Sequence, residues 1–478
     1  MEIFMSNFIE KATPESCGVS SVDVIKFVEG ICQGLPNQET HSFMLIRHGK
    51  LLFEGYFSPY NEETEHSLFS VSKSFASTAI GYLVSEGKIK LEDSISDYFP
   101  ELINDDINKD NLKITIHDLL SMSFGQQGGA VHESQKRNDM SDVMLYDFFY
   151  RKKDIECGKQ FRYDSYGTYM LSALINKLTG KTVVEYLMPK LFEPLDIKQP
   201  YYIKDELGIS VGYTGMRLRL QDLAKVGLTY LNGGVWNGKQ VIPSEWINLA
   251  TQKHIPTDGC ATGPDWQEGY CYQFWKGRHN TYRFCGAYGQ MCVMMPEYDA
   301  VFVINSGYDN DKLSYVLDTF YKNIMFNMKN TPLPEDKDSN DKLNEILDDL
   351  CLTYQFSEMS PMAKLINGKT YKISPKGGYD SVEFNFTNET VIVKLSGESE
   401  SYTFEAGFNK PVWGRTERTH FASLENKDCS DTVGTACWQT KKDLEITMRL
   451  IGTPSMFKIV ADFSVEPDVS IVTYRCKF

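Results

Sequence analysis

Apolar and polar residues follow two periodicities in the first part of the chain. Residues 42–57 read as two short apolar runs around the turn residues His48 and Gly49, which predicts a β-hairpin. After a polar connection, apolar residues recur at helical spacing over residues 75–84, and Gly87 stands where a helix would end. The pattern therefore predicts a strand pair followed by a buried helix.

The middle of the chain is dominated by helical periodicity. Between about residues 112 and 250, apolar residues at helical spacing predict helices that end near Gly180 and Gly233. Strand-like runs return between residues 270 and 307, namely YCYQFW, GQMCVMM and AVFVINSG. Strands that open and close a helical middle indicate an α+β sandwich.

A change in composition divides the chain. The stretch TPLPEDKDSNDKL combines prolines with many charges, which is typical of a linker, and 478 residues exceed what one compact core usually contains. Beyond it, period-two alternation predicts a small antiparallel β domain, with Trp413 and Trp438 expected in its core. The expected division is a first domain over residues 1–330, a linker over 331–345 and a β domain over 346–478.

Overall charge and the start of the chain exclude several classes of partner. The 64 acidic and 49 basic side chains give a formal charge of -15, which would repel nucleic acid and anionic lipid. The first residues lack the uninterrupted apolar segment of an export signal, and no later stretch reaches the roughly 18 apolar residues of a membrane span. We therefore expect a cytoplasmic protein without a nucleic-acid or membrane partner.

The cysteines and histidines do not predict a metal site. The 11 cysteines are scattered and include no C-x-x-C pair, and the 8 histidines include no H-E-x-x-H. Reduced and mostly buried thiols are the simplest interpretation. We expect neither a metal nor another cofactor.

The strongest chemical signal is FSVSKSF, in which Ser70 and Lys73 form an S-x-x-K motif. Residues three apart on a helix share a face, so the Lys73 amine can lie beside the Ser70 hydroxyl. A lysine removes a serine proton only if burial and nearby charge lower its pKa. The chain contains four S-x-x-K matches, but only this one opens a strongly apolar helix after a predicted strand pair. Ser70 is thus the candidate nucleophile and Lys73 the candidate base.

A second element, Tyr163-Asp164-Ser165, follows a glycine-containing turn and precedes a predicted helix. With the first motif, it resembles the Y-x-N motif of the class C β-lactamase and esterase branch of the penicillin-binding-protein superfamily. The resemblance also includes TPESCGVSS, ITIHDLLSMS and GYCYQFW and covers about residues 10–325. It implies that Tyr163 shares proton transfer with the lysine. Ser165 replaces the usual asparagine, and its hydroxyl can still donate to Lys73 or to a substrate carbonyl.

The family's third motif is a K-T-G or H-x-G triplet on a strand that lines the site, and its best match is YRFCGAYGQMCVMMP. Alignment on the glycines places Cys285-Gly286-Ala287 in the triplet, which departs from the pattern at two positions, the cation included. Because the cation and hydroxyl hold the carboxylate of β-lactams in relatives, their loss argues against a β-lactam as natural substrate. The resemblance further implies an oxyanion hole formed by the backbone N–H groups of Ser70 and Tyr288.

Other reactive groups near the third motif receive simpler interpretations. Arg278, His279 and Arg283 are expected to be solvated at the surface, with replacement of the missing cation as the alternative. Cys285 is expected to be an inert packing thiol, with a nucleophilic role as the alternative.

The resemblance implies a β-lactamase/transpeptidase-like α+β fold, with a five-stranded antiparallel-type sheet flanked by helices and a helical lobe. Some relatives carry a lipocalin-like β domain after it. The expected reaction is hydrolysis of a small ester, amide or short peptide through an acyl-enzyme on Ser70. Carboxylesterase is the leading hypothesis; a D-amino-acid-specific peptidase or amidase, a β-lactamase and a non-catalytic binding protein are the alternatives. The natural substrate, the role of the β domain and the oligomeric state, homo-oligomers included, stay open.

Overall fold

The computed structural model describes residues 9–35, 38–127, 141–260, 262–376, 379–398, 401–416, 430–464 and 468–474. Internal contacts divide the chain into two compact units. The first comprises Met1–Tyr56 with Ser67–Asp349, and the second comprises Phe57–His66 with Leu350–Phe478. Within the described ranges, no helix is both long enough and apolar enough to cross a membrane.

Up to Asp349, the strands of the central sheet come from the two ends of the segment and enclose a mostly helical middle, as the sequence predicts. The α-helices are α1 (Ser21–Cys32), α2 (Ser72–Ser85), α3 (Ile116–Leu120), α4 (Ser141–Tyr150), α5 (Ser165–Thr179), α6 (Val183–Leu187), α7 (Leu220–Leu231), α8 (Ser244–Ala250), α9 (Leu313–Asn323) and α10 (Lys337–Asp348). The strands are β1 (Glu39–Arg47), β2 (Lys50–Tyr56), β3 (His66–Ser67), β4 (Tyr201–Tyr202), β5 (Met216–Leu218), β6 (Val235–Trp236), β7 (Lys239–Gln240), β8 (Trp275–Lys276), β9 (Tyr282–Gly286), β10 (Gln290–Met295) and β11 (Ala300–Gly307).

The central sheet has the strand order β2-β1-β11-β10-β9-β8, and each neighbouring pair is antiparallel. It therefore has six strands, one more than the resemblance implied, because the two-residue strand β8 pairs with β9. The predicted hairpin is confirmed: His48 and Gly49 adopt φ values of 52° and 71°. Positive φ at both central residues is what a two-residue type I′ turn requires.

Helix α2 packs deep in the first unit and binds the segment predicted as the strand YCYQFW. The Ser74 and Ser77 hydroxyls of α2 donate to the carbonyls of Gln273 and Tyr272, at 2.8 and 2.7 Å. Because these carbonyls bind a helix, that strand prediction is wrong except at its last residue, where β8 begins. Gly81 permits the close packing, since a Cβ there would lie 2.3 Å from the Trp246 ring.

The predicted linker is largely helical. Helix α10 occupies most of it, and this helix buries Leu343, while Asn340 Nδ2 donates to Ser21 Oγ of α1 at 3.3 Å. Charged residues cover the rest of its surface, which explains why the composition resembled that of a linker. The segment lies in the first compact unit, which ends at Asp349.

The second unit is built on one antiparallel-dominated sheet and the short helix α11 (Met362–Ile366). Its strands are β12 (Lys369–Lys376), β13 (Tyr379–Phe386), β14 (Thr390–Ser396), β15 (Ser401–Gly407), β16 (Val412–Thr416), β17 (Ser430–Trp438), β18 (Asp443–Leu450), β19 (Met456–Asp462) and β20 (Asp468–Tyr474). The order is β12-β13-β14-β15-β17-β18-β19-β20, with β16 paired to β17 beside this path. The sheet forms a nearly closed, barrel-like structure, because its end strands β12 and β20 also contact each other.

The two tryptophans of this unit differ in their surroundings. Trp438 is buried, as predicted, but Trp413 is 56% exposed. The prediction for Trp413 is wrong because β16 pairs only beside the main path of the sheet, and its residues from Trp413 to Arg415 face solvent.

Candidate active site

Ser70 lies in a 3-10 turn directly before helix α2. Phe69, the preceding residue, adopts a φ of 49°, a left-handed conformation that costs energy for a non-glycine residue and is often found at functional sites. Strand β5 holds both sides of the turn: Leu68 N donates to Met216 O at 2.9 Å, and Met216 N donates to Ser72 Oγ at 2.9 Å. The position of the Ser70 hydroxyl is thus fixed by a distant strand.

Lys73 lies one helical turn after Ser70, and the structure brings the two side chains together. Lys73 Nζ is 3.1 Å from Ser70 Oγ and donates to the backbone carbonyl of Tyr213 at 2.9 Å. Its side chain is buried, and Nζ lies 4.9 Å from the centre of the Tyr163 ring. The amine therefore lies between the Ser70 hydroxyl and the Tyr163 ring.

Tyr163 joins the same group of polar atoms. Its side chain is 39% exposed, but its hydroxyl end is buried and hydrogen-bonds with the Ser70 hydroxyl. Burial raises the pKa of the Tyr163 phenol well above its usual value, and the Ser70 hydrogen bond offsets this only in part. The phenol therefore stays protonated at neutral pH.

Asp164 and Ser165 fix the start of helix α5, directly after Tyr163. The buried Asp164 carboxylate caps the helix by accepting from Tyr166 N at 2.8 Å, and it pairs with Arg151 at 2.8 Å. Ser165 is half-buried at the first position of the helix. The two hydrogen bonds described for Lys73 go to Ser70 and to Tyr213 O. Asp164, which no motif indicated as functional, thus fixes the backbone next to Tyr163.

The third motif lies at the end of β9 and in the 3-10 turn that follows. Gly286 packs against the turn that carries the nucleophile, since a Cβ at this position would lie 2.3 Å from Leu68 O. Ala287 and Tyr288 follow in the turn, with Tyr288 at a φ of 63°. The Tyr288 N–H donates to Asn310 Oδ1 at 3.0 Å, so the N–H suggested by the resemblance as an oxyanion donor already has an acceptor.

Cys285 contributes a half-buried thiol to the site. Burial raises the pKa of this thiol, although the neighbouring Arg283 guanidinium lowers it in part. The thiol is also close enough to the Tyr163 phenol to raise the phenol's pKa further. Since a protonated thiol is a poor nucleophile, the electrostatics favour a packing role for Cys285.

We expect the thiol of Cys285 to react slowly with iodoacetamide at pH 7 and much faster towards pH 10. Because burial raises the pKa of this thiol above its ordinary value, almost none of it is present as thiolate at pH 7. Alkylation at Cys285, followed by peptide mass mapping, should inhibit hydrolysis because the adduct would crowd Tyr163. The Cys285→Ser variant should keep its activity under the same treatment; loss of activity in the untreated variant would contradict the packing role.

The three basic residues near this motif differ in their exposure. Arg283 is completely buried, because its guanidinium packs over the Trp266 ring, 4.5 Å from the ring centre, and its Nη2 donates to Asp265 O at 2.9 Å. Arg278 pairs with Asp265 and Asp318, each at 2.6 Å. His279 packs its ring against two aromatic rings. The surface interpretation is therefore wrong for Arg283, whereas His279 is exposed and Arg278 is half-buried.

Several residues of the site could not be found by motif. Tyr213 contributes through its backbone carbonyl and Asn310 through a hydrogen bond to the Tyr288 N–H, and neither interaction depends on a recognisable pattern. Phe161, Tyr270 and Trp275 surround Tyr163 with aromatic rings. The one available signal was the density of aromatic residues in GYCYQFW, which was used only as part of a family resemblance.

The groups that the site presents are a serine hydroxyl, a buried amine and a protonated phenol. They lie within one hydrogen-bonded set, which suits nucleophilic attack accompanied by proton transfer. Among the residues that the structure describes, no three His, Cys, Asp or Glu side chains are grouped so that they could hold a metal ion.

Comparisons with known proteins agree with this architecture. The family model "Beta-lactamase" matches residues 37–317. The 6-aminohexanoate-dimer hydrolase of Paenarthrobacter ureafaciens is 25% identical over 287 residues, which cover 57% of this chain and 73% of the relative.

Solved structures with the same fold include EstCE1, described as a hydrolase with promiscuous acyltransferase activity. Its TM-score is 0.52 at 18% identity, over 63% of this chain and 99% of EstCE1. A penicillin-binding-protein homologue from Caulobacter crescentus has a TM-score of 0.50 at 14% identity, over 66% of this chain and 98% of the homologue. The fold is thus that of the β-lactamase/transpeptidase class. The chain belongs to the beta-lactamase family.

Proposed function

We propose that the protein is a serine hydrolase that forms an acyl-enzyme on Ser70 and hydrolyses a small ester, with amides as the second substrate class. The observation that carries the proposal is the contact of 3.1 Å between Lys73 Nζ and Ser70 Oγ. The Tyr163 hydroxyl, which hydrogen-bonds with the same serine, supplies the second proton-transfer group. The three groups have the types that a serine nucleophile requires.

In the acylation step, Ser70 Oγ bonds to the substrate's carbonyl carbon while its proton passes to Lys73. The lysine amine must be uncharged at that moment to accept the proton. As the bond to the leaving group breaks, Tyr163 donates its proton to the departing oxygen or nitrogen and regains one from Lys73. A protonated phenol, which burial maintains here, is the required form of a general acid. In deacylation, a water oxygen bonds to the acyl carbon while one water proton passes to Lys73. The bond from that carbon to Ser70 Oγ then breaks, Ser70 takes up the proton from Lys73, and the acid is released.

The oxyanion hole is proposed to use backbone donors from the two segments that meet at Gly286. The Ser70 N–H is one of them. Because the Tyr288 N–H donates to Asn310, it can serve the oxyanion only if that hydrogen bond breaks. The N–H of Ala287, directly after the glycine that contacts the Leu68 carbonyl, is the alternative second donor. A backbone donor aimed at the developing oxyanion commonly contributes a factor of about 10² or more in rate.

The third motif lacks the cation that would hold the carboxylate of a β-lactam, and we therefore place ester hydrolysis before β-lactam hydrolysis. The third motif has Cys285 where relatives that recognise β-lactams carry a group for the antibiotic's carboxylate, and Arg283 behind it is completely buried. The name of the related 6-aminohexanoate-dimer hydrolase supports an amide bond as the second candidate. A non-catalytic role is less favoured because nucleophile, amine and phenol are in contact.

A substrate panel tests this order. Purified protein would be assayed with p-nitrophenyl acetate, D-alanine p-nitroanilide and nitrocefin, each beside the Ser70→Ala variant. We expect the highest kcat/KM for the ester and no turnover above background in the variant. Nitrocefin turnover exceeding ester turnover would overturn the ester assignment, and activity that persists in Ser70→Ala would overturn the mechanism.

A further inference from the structure

The general acid Tyr163 belongs to a cluster of four aromatic side chains that pack against one another. We call this cluster the Tyr163 wall, and its members are Phe161, Tyr163, Tyr270 and Trp275. Trp275 stacks on Tyr163 with 6.0 Å between ring centres, and Phe161 lies 5.4 Å from Trp275 and 5.0 Å from Tyr270. Tyr163 is exposed, Phe161 is half-buried, and the other two are buried. The buried rings of Tyr270 and Trp275 therefore support the rings of Phe161 and Tyr163, which are accessible to solvent.

Two further aromatic rings lie next to the nucleophile. Phe69 and Tyr288 lie edge to face, with 5.2 Å between ring centres, and both are half-buried. Cys285, with its protonated thiol, lies close to Tyr163. Phe69, Tyr288 and Cys285 thus contribute three uncharged, half-buried side chains near Ser70.

The charges beside the site favour a neutral substrate. The Lys73 amine lies 4.9 Å from the centre of the Tyr163 ring, where a substrate cation would bind if the ring were to recognise one. A cation bound there would approach the site of proton transfer and compete with the lysine. Arg283, the nearest guanidinium on β9, is completely buried and has no surface to offer a substrate anion.

The proton-transfer step decides which part of the substrate meets the wall. In the proposed mechanism Tyr163 protonates the leaving group, so the departing oxygen must lie at the Tyr163 hydroxyl. The group attached to that oxygen then extends from the hydroxyl along the exposed part of Tyr163, where Phe161 is the half-buried neighbour.

We propose that the Tyr163 wall is the leaving-group subsite and that it selects esters of neutral, apolar alcohols, with Phe161 as the specificity-determining residue. This inference rests on the proposed function. Burying one methylene group against such a surface raises kcat/KM by about fourfold when burial is complete. Partial burial against the edge of Phe161 predicts two- to fourfold per methylene along a series of alcohols.

Two substrate series test the subsite. In the first, n-alkyl acetates from ethyl to octyl vary the leaving group while the chemical reactivity of the ester stays nearly constant. In the second, p-nitrophenyl esters from acetate to hexanoate vary the acyl group. Values of kcat/KM would be measured for the wild type, Phe161→Ala, Phe161→Leu and the control Phe326→Ala, which removes an exposed phenylalanine that contacts His279 and Tyr321 instead.

For the wild type we expect kcat/KM to increase along the alkyl acetates. Phe161→Ala should lower the ratio of kcat/KM for octyl acetate to kcat/KM for ethyl acetate about tenfold, and it should leave the dependence of kcat/KM on acyl length as in the wild type. The thermal unfolding midpoint should stay near that of the wild type. Phe161→Leu should recover part of the loss, and Phe326→Ala should match the wild type. If Phe161→Ala does not fold, the subsite is tested by comparing kcat/KM along the alkyl acetates between Phe161→Leu and the wild type.

Two results would overturn the subsite while leaving the proposed function intact: a flat alkyl series in an active wild type, or a Phe161→Ala defect that grows with the length of the acyl group and not with the length of the alcohol. A wild type that hydrolyses no ester and is not labelled at Ser70 by a fluorophosphonate would overturn the proposed function and the subsite together.

Discussion

Replacement of Ser70 by alanine is expected to abolish turnover, lowering kcat by at least about 10³-fold, and to abolish labelling by a fluorophosphonate. Without the hydroxyl there is no atom to form the acyl-enzyme, and Lys73 and Tyr163 can only assist direct attack by water. Loss of a catalytic serine usually removes several orders of magnitude in rate, and the residual rate comes from binding and the oxyanion hole. Intact-protein mass after brief treatment would show one adduct on the wild type and none on the variant.

The chain offers a matched control on the same helix. Ser85 is the first residue of a second S-x-x-K match, and it is exposed at the end of α2. Ser85→Ala should therefore keep wild-type turnover and accept one adduct. Equal labelling of the wild type and Ser70→Ala would place the nucleophile elsewhere, with Cys285 tested next. Absence of labelling on every form, together with ligand binding that Ser70→Ala leaves unaltered, would support the binding-protein alternative.

The contact between Ser70 and Lys73 depends only on residues that are close together in the sequence. Spacing of three residues on a helix is sufficient to bring Lys73 to Ser70, so a sequence pattern predicts that contact. The hairpin around His48 and Gly49 and the ends of helices at Gly180 and Gly233 depend on equally local conformations. Features of this kind can be predicted from a few neighbouring residues.

Interactions between distant segments account for what the sequence did not predict. Lys73 binds a backbone carbonyl 140 residues away, and any residue at position 213 presents such a carbonyl. The Tyr288 N–H donates to Asn310, which removes the simplest oxyanion assignment. Neither contact leaves a pattern in composition or spacing, because each depends on how strands and turns meet in three dimensions.

The exposure of two side chains differs from the prediction that their residue types suggested. Arg283 is charged, but Trp266 and Asp265 pack over its guanidinium on the face of β9, so its side chain is completely buried. Trp413 is apolar but lies on β16 beside the main path of the second sheet, where it is 56% exposed. In both cases the residues packed around the side chain determine its exposure, and its residue type does not.

Replacement of Lys73 by methionine is expected to lower kcat by about 10³-fold, within the range that one general base contributes, while KM changes much less. Methionine has nearly the length of the lysine stem, so it fills the buried space beside the Tyr163 ring and preserves packing. It cannot accept the Ser70 proton. The serine should still be labelled by the fluorophosphonate, but slowly and at a rate that rises with pH as hydroxide replaces the missing base.

Lys88 provides the matched control, since it closes the second S-x-x-K match and is exposed at 46% of its side-chain surface. Lys88→Met should keep the wild-type kcat and labelling rate. If Lys73→Met instead retained the wild-type labelling rate, proton removal would have to be assigned to Tyr163. That assignment conflicts with the structure, because burial raises the pKa of this phenol and keeps it protonated. The outcome therefore separates a lysine base with a tyrosine acid from the reverse assignment.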